Sequence, residues 1–334
     1  MPHKAVIAPR FGLDHLAVAE RPTPEPGHGE VRVRVRAVSL NRRDALLVQG
    51  VYNPRQRLPV VPCSDASGTV EAVGAGVARL KPGDRVVAHF FTGWIAGEPT
   101  SEKLATALGG AGGDGTLQEA VVLPEQALLP IPDSMSFEAA STLPCAALTA
   151  WSALRDARPG DTVLVQGTGG VSIFALQFAR LAGARVIATT SSEDKAERLR
   201  ALGAAAVLNY RTDPDWGRHA REAAGGRLDL VVDVGGATTL DTSLRAVRPG
   251  GTIALVGVLG GAAATITLPL AVMRQVRLQG ITCGDREAFE AMLRGIDRHG
   301  VEPVISHTFA FDESPLAFRA MEEGSHFGKI VIRL

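Results

Sequence analysis

The run at 163–172, Val-Leu-Val-Gln-Gly-Thr-Gly-Gly-Val-Ser, constrains this chain more than any other stretch. Apolar strand formers lead into a glycine-rich turn, and the turn opens onto an apolar segment, 171–181, with helical spacing. Glycines here let the backbone turn sharply and approach a pyrophosphate, whose charge then rests on the free N–H groups of the helix start. Strand before and helix after is the context the pattern requires. The strict form G-x-G-x-x-G would place a third glycine at 172. The chain has Ser172, small enough to keep helix and strand in close contact. Gly167, Thr168, Gly169, Gly170 and Val171 are therefore the expected dinucleotide contacts. An ordinary glycine turn of an α/β domain is the plainer alternative.

The surrounding pattern supports the first reading. Strand-like stretches at 161–166, 185–189, 206–208, 228–233, 252–256 and 276–282 alternate with helical ones at 171–181, 193–202, 215–224 and 239–247. Such alternation predicts right-handed βαβ units and a doubly wound parallel sheet. The first 130 residues differ. Val31, Val33 and Val35 alternate with Arg32, Arg34 and Arg36, the period of a half-solvated strand, and short apolar runs follow at 68–73, 85–88 and 120–123. A helix at 286–298 and a strand at 329–333 finish the chain. At 334 residues there is room for two domains. The segment 92–115, rich in Gly, Ala and Thr, fits neither pattern. It reads as a surface excursion, with a lid or subunit contact as the sharper alternative.

Thirty-five Lys and Arg balance thirty-five Asp and Glu, which argues against a nucleic-acid partner. No apolar run reaches the ~18–20 residues of a membrane span, and Met-Pro-His-Lys leads into a strand-like stretch, unlike a signal peptide. Cys63, Cys145 and Cys283 lie far apart, which suits a reducing cytoplasm better than a disulfide framework.

An NAD site places an acidic residue after the second strand to hold the ribose 2′-hydroxyl. Here that strand runs into Thr190-Ser191-Ser192-Glu193-Asp194-Lys195. Ser191 and Ser192 can donate to a phosphate and Lys195 adds a positive charge, which points to the 2′-phosphate of NADP. The serines also suit the N-cap of the next helix, and both roles are compatible. Several catalytic sets are missing: Tyr-x-x-x-Lys, G-x-S-x-G, H-E-x-x-H and C-x-x-C.

The chain resembles the medium-chain dehydrogenase/reductase superfamily over essentially its whole length. The marks are Ser39-Leu-Asn41-Arg-Arg-Asp44, Pro62-Cys-Ser-Asp65-Ala-Ser-Gly68, Val73-Gly74-Ala-Gly76 and Pro82-Gly83-Asp84-Arg85-Val. They continue with Leu143-Pro-Cys145-Ala-Ala-Leu-Thr149, the glycine turn, Asn209-Tyr210-Arg211 and Phe327-Gly328-Lys329-Ile-Val-Ile. The resemblance implies a GroES-like β-rich catalytic domain, 1–125 completed by 284–334, and a Rossmann dinucleotide-binding domain, 126–283. Within the superfamily the chain is most similar to the zinc-lacking, quinone oxidoreductase-like group often labelled alcohol dehydrogenases.

By that resemblance, zinc members carry ligands where this chain has Asn41, Cys63-Ser64-Asp65 and Cys145. Only Cys145 suits zinc at its expected place. Asp65 could supply a carboxylate, but Asn41 and Ser64 are poor ligands, so no metal is expected. Asn41, Asp44 and Tyr52 match residues that line the family's substrate cleft. Asn41 is expected to donate to the substrate oxygen, Asp44 to fix local geometry, and Tyr52 to cover the nicotinamide or donate a proton. Arg42 and Arg43 read as surface charges, with a preference for an anionic substrate as the alternative. Further cofactor contacts implied by resemblance are Thr149, Tyr210, Gly328 and Lys329. Val234, Gly257 and Val258 follow strand ends, where open α/β sheets bind ligands.

The resulting expectation is an NADP(H)-dependent, zinc-independent enzyme that reduces a quinone or an α,β-unsaturated carbonyl compound. An alcohol dehydrogenase or carbonyl reductase of the same superfamily is the rival enzyme, and a non-catalytic NADPH-binding sensor the rival of another class. Relatives of this length imply a homodimer paired through the last Rossmann strand. The apolar stretches 265–268 and 276–282 are the candidates for that edge.

Overall fold

The computed structural model describes residues 2–110 and 113–334; Ala111 and Gly112, inside the glycine-rich run 109–115, lie outside the described residues. The strands in chain order are β1 (Pro2–Ile7), β2 (Ala17–Pro22), β3 (Glu30–Leu40), β4 (Asp65–Val73), β5 (Arg85–Ala88), β6 (Ala120–Pro124), β7 (Leu128–Pro130) and β8 (Thr162–Gln166). They continue with β9 (Arg185–Thr190), β10 (Ala206–Asn209), β11 (Leu230–Asp233), β12 (Thr252–Leu255), β13 (Arg277–Gly280), β14 (Ile305–Ala310) and β15 (Lys329–Arg333). Two compact units result: Met1–Leu148 with Asp285–Leu334, and Thr149–Gly284.

In the first unit, a seven-stranded sheet runs β14-β15-β3-β4-β5-β7, with β6 also paired to β3. The valines of β3 face the core while its arginines face outward; Arg32 meets Glu25 and Glu71. The core gathers Val31, Val33, Val35, Val121, Leu123, Phe318 and Ile332. This unit extends beyond the expected boundary at 125. β7 pairs with β5, and the helix Phe137–Ser141 packs on β3 and β4, so 126–148 shares the first unit's core.

In the second unit, six parallel strands stand in the order β10-β9-β8-β11-β12-β13. This is the doubly wound Rossmann order. β8 is buried at every residue, as a parallel strand covered on both faces must be. The helix Gly170–Leu181 buries Ile173, Phe174, Leu176 and Phe178, with Trp151 edge-on to Phe178 at 5.4 Å. The strand order reverses between β8 and β11, and ligands of such sheets bind outside the carboxyl ends at that point. One expectation fails. Residues 265–267 form no strand, and Leu268–Val272 is a short helix with Pro269 in its first turn. Proline has no N–H for a ladder but is tolerated at a helix start. The edge strand is therefore β13 alone. Among the described residues no helix is long and apolar enough to cross a membrane.

Candidate active site

In the first unit, three strand ends meet. Ile330 pairs with Leu40 and Ser39 with Asp65, so the start of β15, the end of β3 and the start of β4 bring Lys329, Asn41 and Asp65 to one place. Asn41 follows β3 and caps the helix Arg42–Val48; its backbone N–H donates to Oδ2 of Asp44 at 2.8 Å. Lys329 follows Gly328, whose φ of +88° and approach to the Val304 carbonyl leave no room for a Cβ. The Lys329 side chain is 2% exposed. Its Nζ donates to the Leu40 carbonyl at 2.7 Å and to Oδ1 of Asn41 at 2.6 Å. A lysine has only donors, so the contact fixes the Asn41 amide: Oδ1 toward the ammonium, Nδ2 away. Nδ2 is shielded from water and closes no hydrogen bond of standard geometry, although it approaches the Asp65 carboxylate.

Asp65 accepts from Ser64 Oγ at 2.7 Å and from the Cys145 backbone N–H at 3.2 Å. Cys145 sits in a π-helical turn, Leu143–Ala147, of the kind often found at functional sites. Burial raises the Asp65 carboxyl above its usual range, with the Lys329 charge the main opposing influence. Burial pushes Asp44 up to about 6, against the pull of Arg43, and Asp65 adds to the rise. Burial and the Asp65 charge push the Cys145 thiol up to about 12.

Arg43 is not a surface charge. It is buried, donating to Asp44, to the Leu108 carbonyl and to the Gly109 carbonyl. Its guanidinium lies 5.0 Å from the Tyr52 ring and 5.1 Å from the Phe90 ring. Arg43 thereby ties the 92–115 segment to the Asn41 helix. Arg42 is exposed as expected. Tyr52 is 52% exposed, and its side chain engages Arg43. The structure thus brings Asn41 and Asp44 together directly and links Tyr52 to them through Arg43.

The positions where the resemblance implies zinc ligands do not fit a metal. They hold an amide, a hydroxyl that is donating to Asp65, a carboxylate and a protonated thiol, with the Lys329 ammonium among them. Among the described residues, no group of three His, Cys, Asp or Glu side chains could hold a metal ion.

In the second unit, Gly167 takes φ +74° as the chain leaves β8, a conformation that favours glycine. A Cβ at Gly169 would meet no protein atom within 4 Å. Gly169 is the N-cap of the helix Gly170–Leu181, and no side chain caps that helix. The open space and the uncapped N–H groups together fit a pyrophosphate. Ser172 donates to the Gln166 carbonyl at 2.6 Å, which keeps the helix close to β8. Gln166 also spans the point where the strand order reverses. It donates to Ser243 at 2.8 Å and accepts from Val234 N–H at 3.3 Å. Its signal in the sequence is a polar residue ending an apolar strand.

After β9, Ser192 caps the next helix by accepting from Lys195 N–H at 3.4 Å, so the capping role read from the sequence holds for this serine. Partial burial, then Arg198 and Arg211, hold the Lys195 ammonium below the usual lysine range. Arg198 and Arg211 thus lie near Lys195. Arg198 and Arg211 were missed in the sequence because they matter only through this proximity. Tyr210 and Val258 are exposed, Val234 and Gly257 half-buried, and Thr149 and Thr168 buried.

Residues 27–133 match the model "Alcohol dehydrogenase GroES-like domain", and 170–298 match "Zinc-binding dehydrogenase". A zinc-type alcohol dehydrogenase-like protein of Schizosaccharomyces pombe is 39% identical, the match covering 97% of this chain and 96% of that protein. The crystal structure of an NAD-dependent alcohol dehydrogenase superposes with TM-score 0.91 at 38% identity, covering 99% of each chain. A 2-octenoyl-CoA carboxylase reductase in complex with NADP and 2-octenoyl-CoA superposes with TM-score 0.89 at 25% identity, covering 99% of this chain and 87% of that one. A GroES-like unit, a Rossmann sheet and full-length relatives agree: this chain belongs to the medium-chain dehydrogenase/reductase superfamily.

Proposed function

We propose that this chain is an NADP(H)-dependent, zinc-independent reductase of α,β-unsaturated carbonyl compounds or quinones. The observation that carries the reading is the Lys329 ammonium on Asn41, in a donor set unsuited to a metal. With no Lewis acid, charge developing on a substrate oxygen must be held by hydrogen bonds, which suits an enolate or hydroquinone oxyanion better than an alkoxide. Tyr52, an exposed residue beside Arg43, offers its hydroxyl for this. Asn41 offers Nδ2, which closes no hydrogen bond of standard geometry although it approaches Asp65, and so is open to a better-placed acceptor. Because Nδ2 is shielded, a substrate must uncover it. Asp44 holds Asn41 and Arg43 in place.

The residues of the Rossmann unit fit a dinucleotide. The bound nicotinamide supplies the hydride. Gly167, Thr168, Gly169, Gly170 and Val171 would receive the pyrophosphate. Ser191, Ser192 and Lys195, with Arg198 and Arg211, would receive the 2′-phosphate. Thr149, Tyr210, Val234, Gly257 and Val258 remain proposed contacts along the same ligand, and Gly328 at its nicotinamide end. None of Cys63, Cys145 and Cys283 is in a disulfide, which suits a reducing cytoplasm. We also infer a homodimer. β13 has one neighbour, and Leu268, Val272, Met273 and Leu278 beside it are exposed.

The test is a screen of NADPH and NADH oxidation against quinones, enones, enoyl thioesters and aldehydes, with alcohol oxidation run in reverse. NADPH consumed with an enone or quinone supports the reading. NAD-linked alcohol oxidation would favour the second reading, alcohol dehydrogenase, to which the NAD-dependent relative points. Tight NADPH binding with no turnover would indicate a sensor.

A further inference from the structure

Four charged side chains are buried together in the first unit. Asp44 and Asp65 have no exposure, Arg43 has 9% and Lys329 has 2%. Two cations balance two anions, as a buried charge cluster must if it is not to unfold the unit. Arg43 is committed to Asp44 and to the Leu108 and Gly109 carbonyls. The cation opposing the Asp65 charge is Lys329, and its two short donations go to Asn41 and to the backbone beside it.

A cofactor contact would need the ammonium to reach a ligand. Here it points into its own unit, onto residues 288 and 289 positions away in sequence. An asparagine amide can sit either way round, and only its neighbours decide which end is the donor. At Asn41 the short contact is with Lys329, and an ammonium facing Nδ2 would set donor against donor; the Asp65 carboxylate on the Nδ2 side favours the same orientation.

We propose that Lys329 is a positioning residue: its buried ammonium is the resident cation of this site and locks the Asn41 amide with Nδ2 as the donating end. This replaces the cofactor contact that the resemblance implies for Lys329. It rests on the reading of Asn41 as a donor to substrate. In this reading Lys329 acts through Asn41, and both of its donations stay within the chain.

The test is a double-mutant cycle on the full-length protein with Asn41→Ala, Lys329→Met and the pair. It uses an enone or quinone found active in the screen, with NADPH affinity measured by fluorescence titration. Lys329→Arg is the conservative variant. Asn41→Ala and Lys329→Met are each expected to lower kcat about tenfold, and the pair no further than about tenfold, since both remove one donor. NADPH Kd is expected to stay within twofold, and Lys329→Arg to recover more than half of the lost turnover. A merely structural lysine would lower the melting temperature and leave kcat unchanged well below that temperature. Should Lys329→Met not fold because Asp65 is left unbalanced, Lys329→Met is made in an Asp65→Asn background and read against Asp65→Asn alone under the same criteria.

The inference is overturned if Asn41→Ala is slow while the Lys329 variant is not, or if the two losses multiply. It also falls if NADPH affinity drops in step with turnover, which would return Lys329 to the cofactor. Undiminished turnover in Asn41→Ala, by contrast, removes the donor role of Asn41 from the proposed function, and the role of Lys329 goes with it.

Discussion

Nη1 of Arg43 donates to Oδ1 of Asp44 at 3.1 Å, a contact between adjacent residues that are both buried. Burial nevertheless outweighs the guanidinium, and the Asp44 carboxyl stands at about 6. Unfolded, it titrates near 4. Between those values the native chain holds a proton that the unfolded chain has released. Asp44's contribution is therefore fully present below about 4 and is lost as pH rises through about 6. The loss is roughly 3 kcal/mol. In urea unfolding at steps of pH, the stability of wild type relative to Asp44→Asn should fall across this window. A gap that stays flat from pH 4 to pH 7 would contradict the assignment.

Asn41 and Tyr52 make separable predictions. Asn41→Ala should cut turnover about tenfold and leave NADPH affinity nearly intact. That is less than the hundredfold or more lost with one oxyanion donor in hydrolases, because water can substitute in part. Tyr52→Phe should cost at least as much, since it removes the hydroxyl donor of an exposed residue beside Arg43. Full turnover in both variants would remove the hydrogen-bonding account.

Cofactor choice is tested at Lys195, which Arg198 and Arg211 flank. Lys195→Glu should weaken NADPH by about ten- to a hundredfold, the worth of one charge-assisted contact. NADH should be affected far less. Equal losses in titrations with the two dinucleotides would refute the assignment.

The donor set around Lys329 predicts well under one zinc per chain by elemental analysis. It also predicts full activity after dialysis against a chelator. Stoichiometric zinc, with activity lost on its removal, would sink the zinc-independent reading.

Assembly is tested at the β13 edge. Sedimentation should report about twice the 35.0 kDa chain mass at micromolar concentration. Asp at Met273, which is 80% exposed, should shift the mass toward the monomer. A wild-type mass near 35.0 kDa would exclude the dimer.

Much of the Rossmann unit was legible in advance, because its signals are local. A buried parallel strand reads as an apolar run, a helix as a 3.6-residue period, and the turn at Gly167 as glycines between them. The Val and Arg alternation of β3 revealed its two faces in the same way. Boundaries were less legible. Residues 126–148 join the first unit through pairing with β5 and packing on β3, and nothing local marks that choice. Pro269 did carry a local signal against a strand at 265–268, outweighed in the reading by apolar composition.

The sequence by itself determined that a strand, a glycine turn and a helix would present free N–H groups to a dinucleotide. It also determined that the positions matching metal ligands hold Asn41, Ser64 and Asp65. These follow from residue identity and short-range geometry. Only the tertiary structure decided what the charges do. Arg42 and Arg43 are neighbours of the same type, yet one is exposed and the other is buried between Tyr52 and Phe90. Lys329 meets Asn41 because β15 pairs with β3, bringing together residues 288 apart. A long flexible cation has no preferred partner in sequence. Its partner is set by which strand ends the sheet register brings together and by the buried carboxylates that must be balanced there.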